Sequence, residues 1–152
     1  MKFPSIAPSI ALFTLLLTPT LSLAADCRPG NILFSCTTKA SKQILLCEVG
    51  STIKYVFGPR GRTPELVLRV PKAAASMTPW NGFGALFHSI EVPNADTVYS
   101  VYWSGLRDPN HPSPFSGGVR VNIGGREAAN VECDPRRPII NNMEELELRV
   151  TQ

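Results

Sequence analysis

The sequence predicts an all-β fold, a small antiparallel sandwich or barrel of about eight strands with two disulfides, and three observations carry that prediction. Apolar and polar residues alternate with period two along most of the chain after residue 31, while the spacing of an amphipathic helix is scarce. Glycine pairs and Pro-Asn-Asp clusters interrupt the alternation at short intervals, as turns between strands require. Four cysteines, Cys27, Cys36, Cys47 and Cys133, all lie downstream of a segment with the form of a secretory leader, and an exported chain meets an oxidising compartment in which thiols pair.

Residues 1–24 have that form. Lys2 supplies the charged start, residues 10–17 the apolar run, and Ser22-Leu23-Ala24 the small-residue site, with cleavage placed after Ala24. The apolar run is about half of the roughly 20 residues that a membrane-spanning helix needs, so the expected product, residues 25–152, is soluble and not inserted in a membrane. Leu23-Ala24-Ala25-Asp26-Cys27 approaches a bacterial lipid-attachment site, but Asp26 stands where a small residue is needed. Those 128 residues match a single β domain in size.

Residues 31–37 and 43–49 read as the first two strands, and 52–57 as the third, with Ile53, Tyr55 and Phe57 on one face. The two-residue connection Gly50-Ser51 predicts a tight hairpin between the second and third. After turn formers at 58–64, residues 65–70 form a fourth strand with Leu66, Leu68 and Val70 on one side. Residues 71–84 read as a surface excursion, because Pro71 and Pro79 bracket its helix-like composition and limit it to a turn or two. Residues 85–92 and 97–103 read as adjacent strands joined through Pro93-Asn94-Ala95-Asp96. In the second of these Tyr99, Val101 and Trp103 form the heavier face, and Tyr102 lies on the lighter one.

Residues 105–118, carrying Pro109, Pro112 and Pro114, read as a loop of about a dozen residues, a length associated with function or mobility. Residues 119–123 and 126–133 make a second hairpin around Gly124-Gly125 that ends on Cys133. The tail from about residue 134 opens with Asp134-Pro-Arg-Arg-Pro138 and is compatible with an added strand, a short helix or a flexible segment.

The order Leu33-Phe34-Ser35-Cys36, Leu46-Cys47, Tyr55-Val56-Phe57-Gly58 and Glu65-Leu66 is followed by Gly82-Phe83-Gly84 and Tyr99-Ser-Val-Tyr102. Gly118-Val119-Arg-Val121, Gly124-Gly125-Arg126 and a closing Cys133 complete it. In this order the chain resembles an uncharacterised family of small secreted proteins of Gram-negative bacteria. The resemblance implies a periplasmic location and brings no established activity. A looser likeness to periplasmic inhibitors of c-type lysozymes rests on an early aromatic and cysteine and on a last strand ending in cysteine. It implies a small β-barrel architecture. The Ser-Gly loop and following tyrosine of those inhibitors have no counterpart here unless Asn81-Gly82-Phe83-Gly84 takes their part.

Chemistry-bearing residues are few. Removing the leader takes one Lys from the fifteen basic residues and none from the twelve acidic ones, leaving a net charge of +2. The basic residues are scattered, with Arg60/Arg62 and Arg136-Arg137 as small groups, so the dense stripe that a phosphate backbone needs is missing and nucleic acid is not an expected partner. Four cysteines allow three pairings; strand parity puts Cys36 and Cys47 on opposite faces, which disfavours a bridge between them. Without close-set CxxC pairs the four are not expected to hold a metal, and no cofactor is expected.

His88 and His111 are the two candidate general bases, yet neither comes with a nucleophile motif or a paired metal ligand. Turn chemistry accounts for Asp96 and Asp108 without a carboxylate pair such as one with Glu91. The aromatics offer more. Trp80 lies in the excursion and Tyr102 on the lighter strand face, so Trp80, Asn81, Phe83 and Tyr102 form a candidate contact patch.

These readings give an exported, soluble, non-catalytic protein that binds another protein of the envelope, of the hydrolase-inhibitor or immunity type. Two alternatives are a carrier of small ligands in a barrel interior and a weak hydrolase built on His88.

Overall fold

A computed structural model describes residues 27–80, 85–108, 110–112 and 115–150; the leader read at 1–24 lies outside them. The described residues hold eleven strands and not about eight, the additional ones lying at 76–80, 140–141 and 149–150. They are β1 (Ile32–Thr37), β2 (Lys42–Val49), β3 (Thr52–Pro59), β4 (Leu66–Pro71), β5 (Ser76–Trp80), β6 (Ala85–Asn94), β7 (Thr97–Leu106), β8 (Phe115–Ile123), β9 (Arg126–Glu132), β10 (Ile140–Asn141) and β11 (Arg149–Val150). A five-stranded sheet runs β10-β1-β2-β3-β4 and a six-stranded sheet runs β11-β5-β6-β7-β8-β9. Both keep open edges, so the fold is sandwich-like and not a closed barrel.

Alternation decides which side chains meet. Ile90, Val101 and Val119 lie in line across β6, β7 and β8, each at most 1% exposed. They face Phe34, Ile44, Leu46, Ile53 and Tyr55 of the first sheet, which are equally buried. Tyr55 and Tyr99 meet between the sheets with ring centroids 5.4 Å apart, and burial, with Tyr99 beside it, pushes the Tyr55 phenol far above its ordinary range. The pairing Thr38↔Cys133 and the disulfide Cys36–Cys133 tie the sheets at one edge. The second disulfide, Cys27–Cys47, ties the segment ahead of β1 to the other face of β2. Of the three pairings open from sequence, the one realised leaves Cys36 and Cys47 unbridged to each other.

Both hairpins expected from sequence form. Val49 pairs with Thr52 across Gly50-Ser51, and Ile123 with Arg126 across Gly124-Gly125. At the latter both turn residues take positive φ, +55° and +78°, as a two-residue turn matched to strand twist demands.

Three expectations need correction. Within 71–84 the surface excursion is a 3₁₀ turn, Lys72–Ala74, followed by strand β5; Pro71 and Pro79 stop a helix but do not stop pairing with β6, which buries Ala75. The turn after β6 is two residues, Ala95-Asp96, because Pro93 and Asn94 still pair with Val98 and Thr97. The loop read at 105–118 is shorter at both ends, since Gly105 pairs with Phe115 and Tyr102 with Gly118. Glycine there marks close approach: a Cβ on Gly118 would lie 2.4 Å from the Val131 carbonyl oxygen.

After Asp134 the chain adds two short strands to the sandwich. β10 pairs with β1, the 3₁₀ turn Met143–Glu145 puts Met143 into the core, and β11 runs parallel to β5. Met143 and Leu146, at 0% and 3% exposure, are core residues, so the tail straps one sheet to the other.

Candidate functional site

The sequence places an aromatic pair where the core meets solvent. Trp103 continues the inward row of β7, and Phe115 opens the neighbouring strand β8, paired with Gly105. Their rings stack at 5.8 Å with planes 25° apart, and Phe115 remains 55% exposed. The pair leaves an aromatic face open to solvent at the ends of two neighbouring strands.

The facing wall is the segment from Cys133 to β10. Asp134, 4% exposed, accepts from the Arg136 backbone N–H at 3.1 Å, from its Nε at 3.0 Å and from its Nη2 at 3.0 Å. These contacts, the Arg136 side chain first, hold the Asp134 carboxyl well below the usual carboxylate range, at about 2. The Arg137 N–H donates to the Asp134 carbonyl at 3.0 Å, and its guanidinium stands 3.8 Å from the Asp134 carboxylate, beyond hydrogen-bond distance. The turn is thereby fixed from within, and it presents Arg137 and Pro138 opposite the aromatic pair.

Between the two walls lies a cleft of about 570 Å³, lined by Trp103, Pro112, Phe115, Pro135, Arg137, Pro138, Ile139 and Asn141. That volume is in the range of specific ligand sites, and mostly apolar walls with a few polar groups are their usual make-up. A second depression of about 230 Å³ shares Phe115, Pro135 and Ile139 with it and continues to Lys39, Tyr102 and Glu132. The two adjoin along these three residues.

The contact patch expected from sequence fares differently. Asn81 and Phe83 lie outside the described residues, and Trp80 ends β5 with its backbone alone described. Tyr102 does sit on the outer face of its strand, yet it is 6% exposed. Phe87 stacks on it at 6.1 Å, the Arg120 guanidinium lies 4.7 Å from its ring centroid, and its hydroxyl donates to Asn130 at 3.2 Å. Burial pushes the phenol up, against the Asn130 hydrogen bond. Its neighbours cover the residue that alternation alone would have exposed.

His88 is likewise mostly enclosed, its side chain 14% exposed on the inner face. Nε2 lies 3.0 Å from Glu144 in the tail, and the buried Nδ1 has no hydrogen-bond partner among the described residues. His111 is exposed in the loop. Among the described residues no three His, Cys, Asp or Glu side chains gather as a metal-ligand group, and no helix is long and apolar enough to cross a membrane.

Sequence reasoning passed over Trp103, Phe115, Arg137 and Asn141. By alternation Trp103 belongs to the core face, which is half of its situation. The signal for the others was the Pro-flanked Arg136-Arg137 pair and the Pro-rich loop, both visible as punctuation. Compared with known proteins, the chain matches no family model, no curated protein and no solved structure.

Proposed function

We propose that this is an exported binding protein that recognises another protein of the envelope through the groove at Trp103 and Phe115, without catalysing a reaction. One observation carries the reading: a stacked aromatic pair, half open to solvent, sits on the paired ends of β7 and β8. Such pre-set anchors lose little freedom on binding, and exposed aromatics at the centre of a patch dominate interface energies. Two closed disulfides fit an oxidising compartment, and a periplasmic location is the form of that setting we favour. The inhibitor and immunity-type roles are subclasses of the same reading.

The rival readings have less to stand on. A carrier would need room between the sheets, where Phe34, Ile44, Leu46, Tyr55 and Val101 are packed to at most 1% exposure; the open volume is at the rim. A hydrolase built on His88 would start from an imidazole whose Nε2 faces the tail carboxylate of Glu144.

Site-specific photo-cross-linking in the native compartment tests the proposal. A benzophenone side chain at position 115 is expected to capture a defined protein, while the same group at Val67, similarly exposed at 46% on edge strand β4, captures none. Equal labelling from both positions, or none from position 115, would end it.

A further inference from the structure

We infer that the cleft takes the C-terminal carboxylate of a partner polypeptide whose last side chain is apolar, an inference that rests on the recognition reading above. The lining side chains divide cleanly. Trp103, Phe115, Pro112 and Pro138 give an apolar bed, and Arg137 is the one charged lining residue among the described residues. Its ion pair with the Asp134 carboxylate is a long one, at 3.8 Å, because that carboxylate already accepts three hydrogen bonds from Arg136, and the Arg137 side chain stays 55% exposed.

The remaining polar side chains are also donors. Trp103 carries an indole N–H, and Asn141 spends its Oδ1 on the Met143 backbone N–H at 3.3 Å, which leaves its NH₂ to offer. A cleft with a cation, two further N–H donors, no carboxylate among its described lining residues and an aromatic bed complements an anion carried on an apolar body.

A chain end fits better than a compact free acid because the groove does not stop there. Across Phe115, Pro135 and Ile139 it continues into the second depression, where Lys39 and Glu132 balance each other in charge. A carboxyl-terminal residue seated at Trp103 would place the residues before it along that continuation. Chain-end carboxylates are a recurrent recognition element for this reason: the terminus is unique on its protein and cannot be mimicked by internal sequence.

The test uses the disulfide-bonded protein and acetylated hexapeptide mixtures ending in Phe or Leu, each prepared as the free acid and as the amide, with phenylacetate as the compact acid. The free acids are expected to bind at least about tenfold more tightly than the amides, as a charge-assisted hydrogen bond gives. Arg137→Gln should erase that ratio, and Phe115→Ala should weaken both forms alike. Equal binding of acid and amide, a ratio unchanged in Arg137→Gln, or no binding of either form would overturn the inference. Phenylacetate binding as tightly as the peptides would overturn it in favour of a free acid. If position 115 still cross-links a protein while acid and amide bind equally, this inference alone fails; if neither is seen, the recognition reading falls with it.

Discussion

Cys36 of β1 and Cys133 just after β9 are bonded across the two sheets, with Cα atoms 5.8 Å apart and 97 residues between them in sequence. Cys27 and Cys47 close a separation of 20. Cross-links that close longer loops remove more freedom from the unfolded chain, on the order of 4–5 kcal/mol for about a hundred residues against about 3 for the shorter loop. The double variant Cys36→Ala/Cys133→Ala should therefore lose more stability than Cys27→Ala/Cys47→Ala. Denaturant titration of the two variants checks the order, and a larger loss for the Cys27–Cys47 pair would contradict it.

Acid should reveal Asp134. Its carboxyl is held at about 2 in the folded chain, below its ordinary value of 3.8, chiefly by the Arg136 side chain. A lowered folded value means that the stabilisation is present above pH 4 and is lost as pH falls toward 2. Asp134→Asn should lower the thermal midpoint at neutral pH and flatten its fall between pH 4 and pH 2. An unchanged acid slope in the variant would show that other carboxylates set it.

Gly118 should tolerate no side chain. Its Cβ would lie 2.4 Å from the Val131 carbonyl oxygen and 3.1 Å from the Tyr102 hydroxyl, and the first of these is backbone that cannot swing aside. Gly118→Ala is expected to cost about 1–3 kcal/mol by overpacking and to disturb the Tyr102–Asn130 hydrogen bond. Thermal unfolding together with tyrosine fluorescence measures both effects; a neutral substitution would mean that β8 and β9 can part at no cost.

Strand type and order were legible from β1 to β4 and from β6 to β8 because burial on one side writes a two-residue period into the sequence, and β9, exposed along nearly all its length, was legible through the Gly124-Gly125 hairpin that precedes it. β5 was not, since Pro71 and Pro79 dominate its local pattern while its pairing with β6 is a long-range matter. The tail was ambiguous for a similar reason: β10 and β11 are two residues each, too short for a period to show. At the site, alternation gave the face of Tyr102 correctly but not its cover, because Arg120 and Phe87 close over it from neighbouring strands. The Asp134–Arg136 clasp, which aims Arg137, depends on a turn whose geometry no spacing rule encodes.

The tail strap should behave as part of the core and not as an appendage. Leu146, 3% exposed, is expected to cost about 2–5 kcal/mol when cut to alanine. The His88–Glu144 contact beside it is 61% exposed on the Glu144 side, so Glu144→Gln should cost no more than about 1 kcal/mol. Hydrogen exchange of the β1 and β5 amides, which border β10 and β11, separates a packed strap from a loose one: Leu146→Ala should raise their exchange rates and Glu144→Gln should leave them nearly unchanged.

Phe115 separates stability from recognition. It is 55% exposed and leans on Trp103 at 5.8 Å, so truncation to alanine removes little buried area. Surface changes of this kind usually stay within about 0.5 kcal/mol, and the stacking lost adds no more than about 1.5 kcal/mol. The folded fraction at room temperature should be unaffected, while binding at the groove falls at least about tenfold, as expected for an aromatic anchor. Circular dichroism melts beside binding isotherms on the same preparation read the two quantities together. A variant that binds as well as the parent would move the recognition surface away from this rim, and one that unfolds would show Phe115 to be a core residue despite its exposure.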